Sequence, residues 1–441
     1  GDAEDRAGSS DLLDALTCIH PLQPFGRDYF MGNRSGLFTY AHEWRASLDI
    51  GEETGKETGK ETGKDTGKEN RPGKDSDKDP DTDRDTPLDP PDLEEGLNLG
   101  ALIRFFKNPV KYFFHQRLSV RFDDLSVTGR DQEPFALDAL APFGLGSQLL
   151  EAGLHAEPSD AHTAVAEEAR RLTRTGDLPM AGFGRLAAQD LAAPVMDMLT
   201  GHQALLEQWP CACDPMEISL TIASDDMPPV VLDDWLDQVY EINAPGRISD
   251  DSGNDSGDGT GESGAPARFA RWEFYPKSIM GSKAKISLLH PLAGLWVKHV
   301  AACARGIDLA SHLVAPDKTL SLPPMEPSRA KEILSAMALC LFRGLRRPLP
   351  VTAKTGLAYV HARMAKDEDQ AKAAAARAYE GDGYNFGGEL AYDPCLQSAY
   401  PGFEDLWQAY DHQFVSLCQT LYEPLVLTLE PALNPVPEKE A

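Results

Sequence analysis

No Gly-x-x-x-x-Gly-Lys-Ser/Thr loop occurs in the 441 residues, so the chain lacks the backbone cradle that a P-loop nucleotide motor needs. No His-Glu-x-x-His run occurs either, which excludes the helix that places two zinc ligands and a general base on one face. Cysteine is sparse: seven residues at irregular spacing, of which only Cys211 and Cys213 stand close. One residue between two sulfurs, with no second pair to match, is a poor zinc framework. The pattern fits the reduced thiols of a cytosolic protein. No apolar run is long enough to cross a membrane. The chain opens on Gly1-Asp2-Ala3 without Met or an apolar leader, as expected of a fragment or a processed chain with no signal peptide. Positive charge is short as well: 42 Lys and Arg face 70 Asp and Glu, a net charge of -28.

That charge is unevenly spread. Residues 1–14, 51–92 and 246–264 together carry -14, half of the total, and none has the pattern of a folded element. The remainder is only mildly acidic, so the overall charge does not argue against a nucleic-acid partner. Within the second stretch, residues 54–69 read TGKE-TGKE-TGKD-TGKE. A four-residue period with a glycine in each unit builds no apolar stripe and predicts a disordered linker. The expected organisation is a docked N-terminal segment over 1–50, a linker over 51–95, a folded domain over 96–430 and a flexible tail over 431–441. An acidic Gly/Ser insertion at 245–266 interrupts the domain.

Within the domain, ALIRFFKNPVKYFFHQRLSV puts Leu102, Phe105, Phe106, Val110, Phe113, Phe114 and Leu118 near one face. Pro109 marks a start or a kink there, with Asn108 as N-cap. Helices are predicted up to His155, over 161–174 and over 186–209. Strands follow at 217–222, at 230–242 as a pair, and at 268–275. Further helices are predicted at about 287–304, 328–344, 367–380 and 403–427. The fold class is α/β, of the α+β kind: a small mixed sheet flanked by helices.

The stretch from Arg268 to Arg305 then decides the chemistry. A short strand ends in Lys277, a basic loop carries Lys283 and Lys285, and an apolar helix closes it. A restriction-type metal-dependent nuclease needs an Asp at one strand end. It also needs an acid and a Lys two residues apart on the neighbouring strand, all facing one Mg²⁺ position. Asp237, or Asp233 and Asp234 on the same run, is the available Asp, and Lys277 the available lysine. Two residues before Lys277 stands Tyr275, where the acid belongs. Glu273 is four residues from Lys277, roughly 13 Å along an extended strand. Pro276 removes a ladder donor between them. Asp237, Tyr275 and Lys277 therefore read as degenerate positions, with no catalytic residue and no metal ligand set. Lys277, Lys283 and Lys285 are candidates for touching a DNA backbone, as are Arg343, Arg346 and Arg347 in LFRGLRRPLP. An ordinary solvated surface is the competing reading. His290 and His299 read as packing or capping residues.

Taken together, the following stretches resemble the C-terminal region of the RecC (gamma) subunits of exodeoxyribonuclease V. They are HPLQPFGRDYF near 20, LFTYAHEW at 37, FFKNPVKYFFHQRLSV at 105, EPFALDAL at 133 and VVLDDWLDQVYEI at 230. FYPKSIMGSKAKISLLHPLAGLWVKHVAACARG at 274 and GELAYDPCLQSAYPGFEDLW at 388 complete the set. The resemblance implies a degenerate restriction-endonuclease-like (PD-(D/E)xK-type) domain without nuclease chemistry, in agreement with Tyr275 and Pro276. It implies a heterotrimer with RecB and RecD subunits, acting on double-stranded or forked DNA ends and single strands. That assembly is an ATP-dependent exodeoxyribonuclease and helicase in recombinational repair, and its ATP and Mg²⁺ are used by the other subunits. The part played here would be to dock RecD and to help split and channel the strands. Phe105, Phe106, Phe113, Phe114, Tyr400, Phe403 and Trp407 are candidates for partner contact, and should then be exposed. An active nuclease and a docking domain without DNA contact are the alternative classes.

Overall fold

The computed structural model describes residues 87–93, 96–122, 141–179, 181–224, 226–242, 268–281, 288–383 and 387–433. By its contacts the chain divides into Gly1–Asp77 and Lys78–Ala441, and every described residue belongs to the second unit. The expected N-terminal docked segment, the TGKE linker, the 245–266 insertion, and Lys283 with Lys285 lie outside the described residues.

The aromatic stretch forms two helices, α1 (Leu99–Lys107) and α2 (Pro109–Gln116). Asn108 serves both: its N–H closes α1 on the Arg104 carbonyl, while its side chain accepts the Lys111 N–H at 2.9 Å to open α2. With Pro109 already at the first helical position, the break is built into the sequence. Helices α3 (Ala141–His155), α4 (Ala161–Thr175) and α5 (Ala181–Gln208) follow.

Strands β1 (Cys211–Ala212), β2 (Met216–Ser224), β3 (Met227–Leu236), β4 (Val239–Glu241) and β5 (Phe269–Phe274) come next. Then come α6 (Leu292–Arg305), β6 (Leu309–Val314) and β7 (Thr319–Leu322). The chain ends in α7 (Pro327–Gly344), α8 (Ala353–Ala365), α9 (Glu368–Glu380), α10 (Pro394–Ala399), α11 (Phe403–Leu421) and α12 (Glu423–Leu433). The main sheet runs β1-β4-β5-β6-β7, while β2 and β3 pair as a separate antiparallel hairpin. Only β5 and β6 are parallel, joined through α6 as a βαβ unit.

The alternation of side chains along β5 and β6 divides the interior in two. Ala270, Trp272, Ala310 and Val314 face α3–α5 and share a core with Leu149, Val165, Val195 and Met198. Leu309 and Leu313 face the other way, into the larger core of α1, α2 and α6–α12. Helix α6 is buried on nearly every face from Leu292 to Ala304 and ends on Gly306 at φ 93, the left-handed stop that favours glycine. It is the centre of the larger core.

The mixed α/β architecture with a small helix-flanked sheet is therefore as the sequence suggested. Strands β1, β6 and β7 and helices α8 and α10 were not anticipated. All six residues of β6 are buried, because helices cover both faces of its sheet, and so it shows no alternation.

Most of the expected partner surface is covered by the domain itself. Phe105 and Phe106 are 0% exposed, and Phe113, Tyr400 and Phe403 are buried as well. Phe114 and Trp407 are half-buried, Trp407 lying 5.3 Å from the Phe414 ring. A dense aromatic face on a helix has the same sequence whether it meets its own core or a partner. Here α1 and α2 press it against α6 and α7.

Candidate functional site

The end of β5 carries the charges that a nuclease would turn to a metal. Antiparallel pairing sets Val239 opposite Arg271. Asp237, two residues before β4, and Glu273 on β5 both approach Arg271, so the acids at this strand end are Asp237 and Glu273. The position two beyond the second acid is Tyr275, where the nuclease pattern wants Lys. Sequence reasoning had counted back from Lys277 and found no acid at Tyr275. The shared approach to Arg271 instead makes Glu273 the second acid, and the position two beyond it holds Tyr275 in place of a lysine.

Arg271 takes the place between these acids. Its side chain is 1% exposed, with Nη1 3.0 Å from Glu273 Oε1 and Nη2 3.9 Å from Asp237 Oδ1. Lys298, on the turn of α6 above, puts Nζ 2.8 Å from the same Glu273 oxygen. Burial pushes the Glu273 carboxyl up, but Arg271 and Lys298 outweigh it and hold the group below the ordinary carboxylate range. The carboxylate charge is thus met by two basic side chains. These residues do not fit a Mg²⁺ site, which needs oxygen ligands facing a cation and no guanidinium among them. Among the described residues no group of three or more His, Cys, Asp or Glu side chains is placed to hold a metal.

Beyond β5 the chain is anchored rather than aimed at the acids. The Tyr275 N–H donates to Val314 O at 2.9 Å, and its ring meets Phe143 of α3 at 5.8 Å and His290 at 6.3 Å. Burial, with Lys354 and Lys107 nearby, lowers the His290 pKa to about 4, so this imidazole is neutral near pH 7. Lys277 places Nζ over the Phe143 ring, 5.7 Å from its centroid. Asp317, in the turn between β6 and β7, accepts the Ser278 hydroxyl, the Ile279 N–H at 3.1 Å and the Met280 N–H at 2.8 Å. Asp317→Ala is expected to speed amide exchange at Ile279 and Met280 by on the order of tenfold, while global stability falls by no more than about 1 kcal/mol. Burial alone would raise the Asp317 pKa, but these donors lower it overall. The clamp is therefore complete above the ordinary carboxylate range and is lost as pH falls through the depressed value. Exchange measured at several pH values checks both statements.

The second basic cluster is occupied within the domain. Arg343 pairs with Asp226 at 2.8 Å and Arg346 donates to the Leu88 carbonyl at 3.0 Å. Arg347 stacks over Tyr410 at 4.1 Å and donates to Gln413. Sequence reasoning missed the Arg271–Glu273–Lys298 cluster, although Arg-x-Glu on one strand face was its visible signal. The stretch Leu99–Phe122 was missed as a charged surface: it holds five Lys or Arg and no acid.

The described residues thus form a small mixed sheet flanked by helices, with the acids at its strand end met by the chain's own Arg and Lys and no cluster placed to hold a metal. Residues 94–364, more than half of the chain, match the RecC C-terminal domain family, and the chain belongs to that family. Among curated proteins it is similar to the RecBCD enzyme subunit RecC of Escherichia coli K12, 26% identical over 349 residues covering 78% of this chain and 24% of that protein. It is also similar to the RecC subunit of Haemophilus influenzae, 24% identical over 233 residues covering 53% of this chain and 17% of that one. The chain spans about a quarter or less of the length of these curated relatives.

Proposed function

We propose that this chain is the non-catalytic C-terminal part of a RecC-type subunit. It would scaffold partner subunits of a RecBCD-type complex and help to separate and channel DNA strands at a break. Its family membership supports the setting, and the observation that carries the non-catalytic reading is Arg271 between Asp237 and Glu273. On this reading 96–430 is one degenerate PD-(D/E)xK-type domain, and 51–95 and 245–266 are appended segments. The complex works in a bacterial cytoplasm on double-stranded or forked ends, with ATP and Mg²⁺ used by the RecB and RecD subunits. Lys277, Lys283 and Lys285 are its DNA-contact candidates on the loop after β5.

Two measurements test it. Co-expressed with RecB- and RecD-type subunits from the same source, the chain should co-purify with at least one of them. Incubated alone with linear DNA and Mg²⁺, it should release no nucleotides. Cleavage that disappears in the Asp237→Asn, Glu273→Gln double variant would overturn the non-catalytic reading, and failure to bind either subunit would overturn the scaffold.

A further inference from the structure

The chain carries -28 overall, yet residues 99–122 contain Arg104, Lys107, Lys111, Arg117 and Arg121 and not one Asp or Glu. The structure gives this run a direction. Phe105, Phe106, Val110 and Phe113 turn inward, whereas Arg104, Lys107, Lys111 and Arg121 are exposed. Arg104 and Lys107 stand three residues apart on α1, while Lys111 on α2 and Arg121 beyond it both lie close enough to His115 to lower its pKa, so the cations form two neighbouring exposed pairs. Among the described residues none of Arg104, Lys107, Lys111 and Arg121 is in an ion pair. Arg117 is held by the Asp89 carbonyl at 2.8 Å. The carboxylate acting on His115 is Asp393, and its oxygens already accept from the Asn108 side chain and the Cys395 N–H. Lys107 arches over the first turn of α6, and it and Lys354 both lie near His290.

At the other end the character changes. Leu118, Val120 and Phe122 are 41%, 37% and 44% exposed, on either side of Arg121. The Phe122 ring leans on Phe114 at 5.9 Å, which leaves an aromatic surface beside these cations. A group of exposed cations without an ion pair among the described residues suits a polyanion. An adjoining exposed aromatic suits unpaired bases, which stack irrespective of sequence. An acidic polypeptide would use the cations and have no need of the ring.

We infer that the outer side of α1 and α2, with Phe122 at its end, is a binding surface for single-stranded DNA. Arg104, Lys107, Lys111 and Arg121 hold the phosphates, and Phe122 receives a base. This rests on the reading of the chain as a DNA-channelling subunit and assigns the strand to a surface other than the loop after β5.

The test uses the 441-residue chain and a fluorescein-labelled 20-mer of thymidylate, followed by anisotropy over a series of salt concentrations. Neutralising Arg104, Lys107, Lys111 and Arg121 together to Gln should weaken binding at least tenfold and lower the salt slope by about 0.7 for each phosphate no longer neutralised. Phe122→Ala should weaken binding roughly fivefold or more with the slope unchanged. Neutralising four exposed cations elsewhere, Arg170, Arg174, Arg185 and Lys331, should alter both by far less. All four of the central substitutions are at exposed positions, so thermal melts should coincide with that of the unaltered chain. Equal loss in the control variant overturns the proposal, as does tighter binding to duplex of the same length. Displacement of the 20-mer by polyglutamate at equal charge concentration would mark the surface as a seat for acidic polypeptide and overturn it too. Absence of any binding by the unaltered chain also overturns it. Co-purification with RecB- or RecD-type subunits reads separately whether the parent assignment stands.

Discussion

Replacing Arg271 with Ala is expected to cost the domain about 3–5 kcal/mol, the range for removing one partner of a buried ion pair. The guanidinium is 1% exposed and the Glu273 carboxylate 27% exposed, so the substitution leaves a cavity beside a partly desolvated negative charge. Lys298 still touches Glu273, which places the electrostatic share at the lower end of that range. The cavity adds its own share. Arg271 Nε has no hydrogen-bond partner among the described residues, so the native arrangement is itself imperfectly satisfied. Arg271→Met with Glu273→Gln should therefore recover most of the loss. Methionine fills the space, and the introduced carboxamide is neutral while its oxygen still accepts from Lys298. The pH dependence has a definite sign. Because the Glu273 pKa is depressed in the folded chain, its contribution is present above the ordinary carboxylate range and is lost as pH falls through the folded value. In Arg271→Ala that acid-limb loss should shrink, since the main depressing charge is gone. Urea unfolding of the unaltered chain and both variants at several pH values measures all of this, and a single-variant loss below about 1 kcal/mol would sink the account.

The local devices of the fold were legible because they are made by neighbours in sequence. Asn108-Pro109 shows both a helix end and a helix start, and the Ile218–Ile222 alternation shows a half-buried strand. β6 was not legible, because LASHLV is covered on both faces, and its Ser311 and His312 read as polar although both are buried. Their side chains meet the His299 ring at 3.0 Å and Ser321 Oγ at 2.8 Å respectively, contacts that no local pattern reveals. The site was half legible for a related reason. That Tyr275 brings no carboxylate to a Mg²⁺ position follows from its chemistry. Which acid shares Arg271 with Asp237 follows from the approach of β4 and β5, and residues 242–268 separate those strands in the chain. Amphipathicity showed that Phe105, Phe106 and Phe113 needed cover, but it could not name what covers them. The acid-free run on the opposite side of the same helices was plain in the sequence, and its meaning depended on knowing which side faced out.

Gly388→Ala is expected to destabilise the domain by about 2–5 kcal/mol, combining a left-handed backbone with a contact that cannot relax. Gly388 sits at φ +62, and a Cβ there would lie 2.2 Å from Tyr379 O and 2.5 Å from both Glu380 C and Gly381 N. All three are backbone atoms at the end of α9, so no side chain can swing aside. The consequence reaches past this turn through the next residue. The Glu389 N–H donates to Ala378 O at 3.1 Å, and its carboxylate accepts the Thr352 hydroxyl at 2.5 Å, the Thr355 hydroxyl at 2.6 Å and the Thr355 N–H at 3.1 Å. Glu389 thereby holds the first turn of α8 from across the domain, so displacing Gly388 loosens α8 along with α9. Burial raises the Glu389 pKa, and the hydroxyls and Lys354 only partly oppose it. Glu389→Gln, which keeps an acceptor without a charge, should accordingly cost less than Glu389→Ala, which strands two hydroxyls and leaves the Thr355 N–H only Thr352 Oγ1 at 3.3 Å. Amide exchange separates the effects: Gly388→Ala should expose the first turns of α8 and the last turn of α9 together. Glu389→Ala should expose α8 alone. Protection left intact at Thr355 in both variants would show that the α8 cap does not depend on this turn.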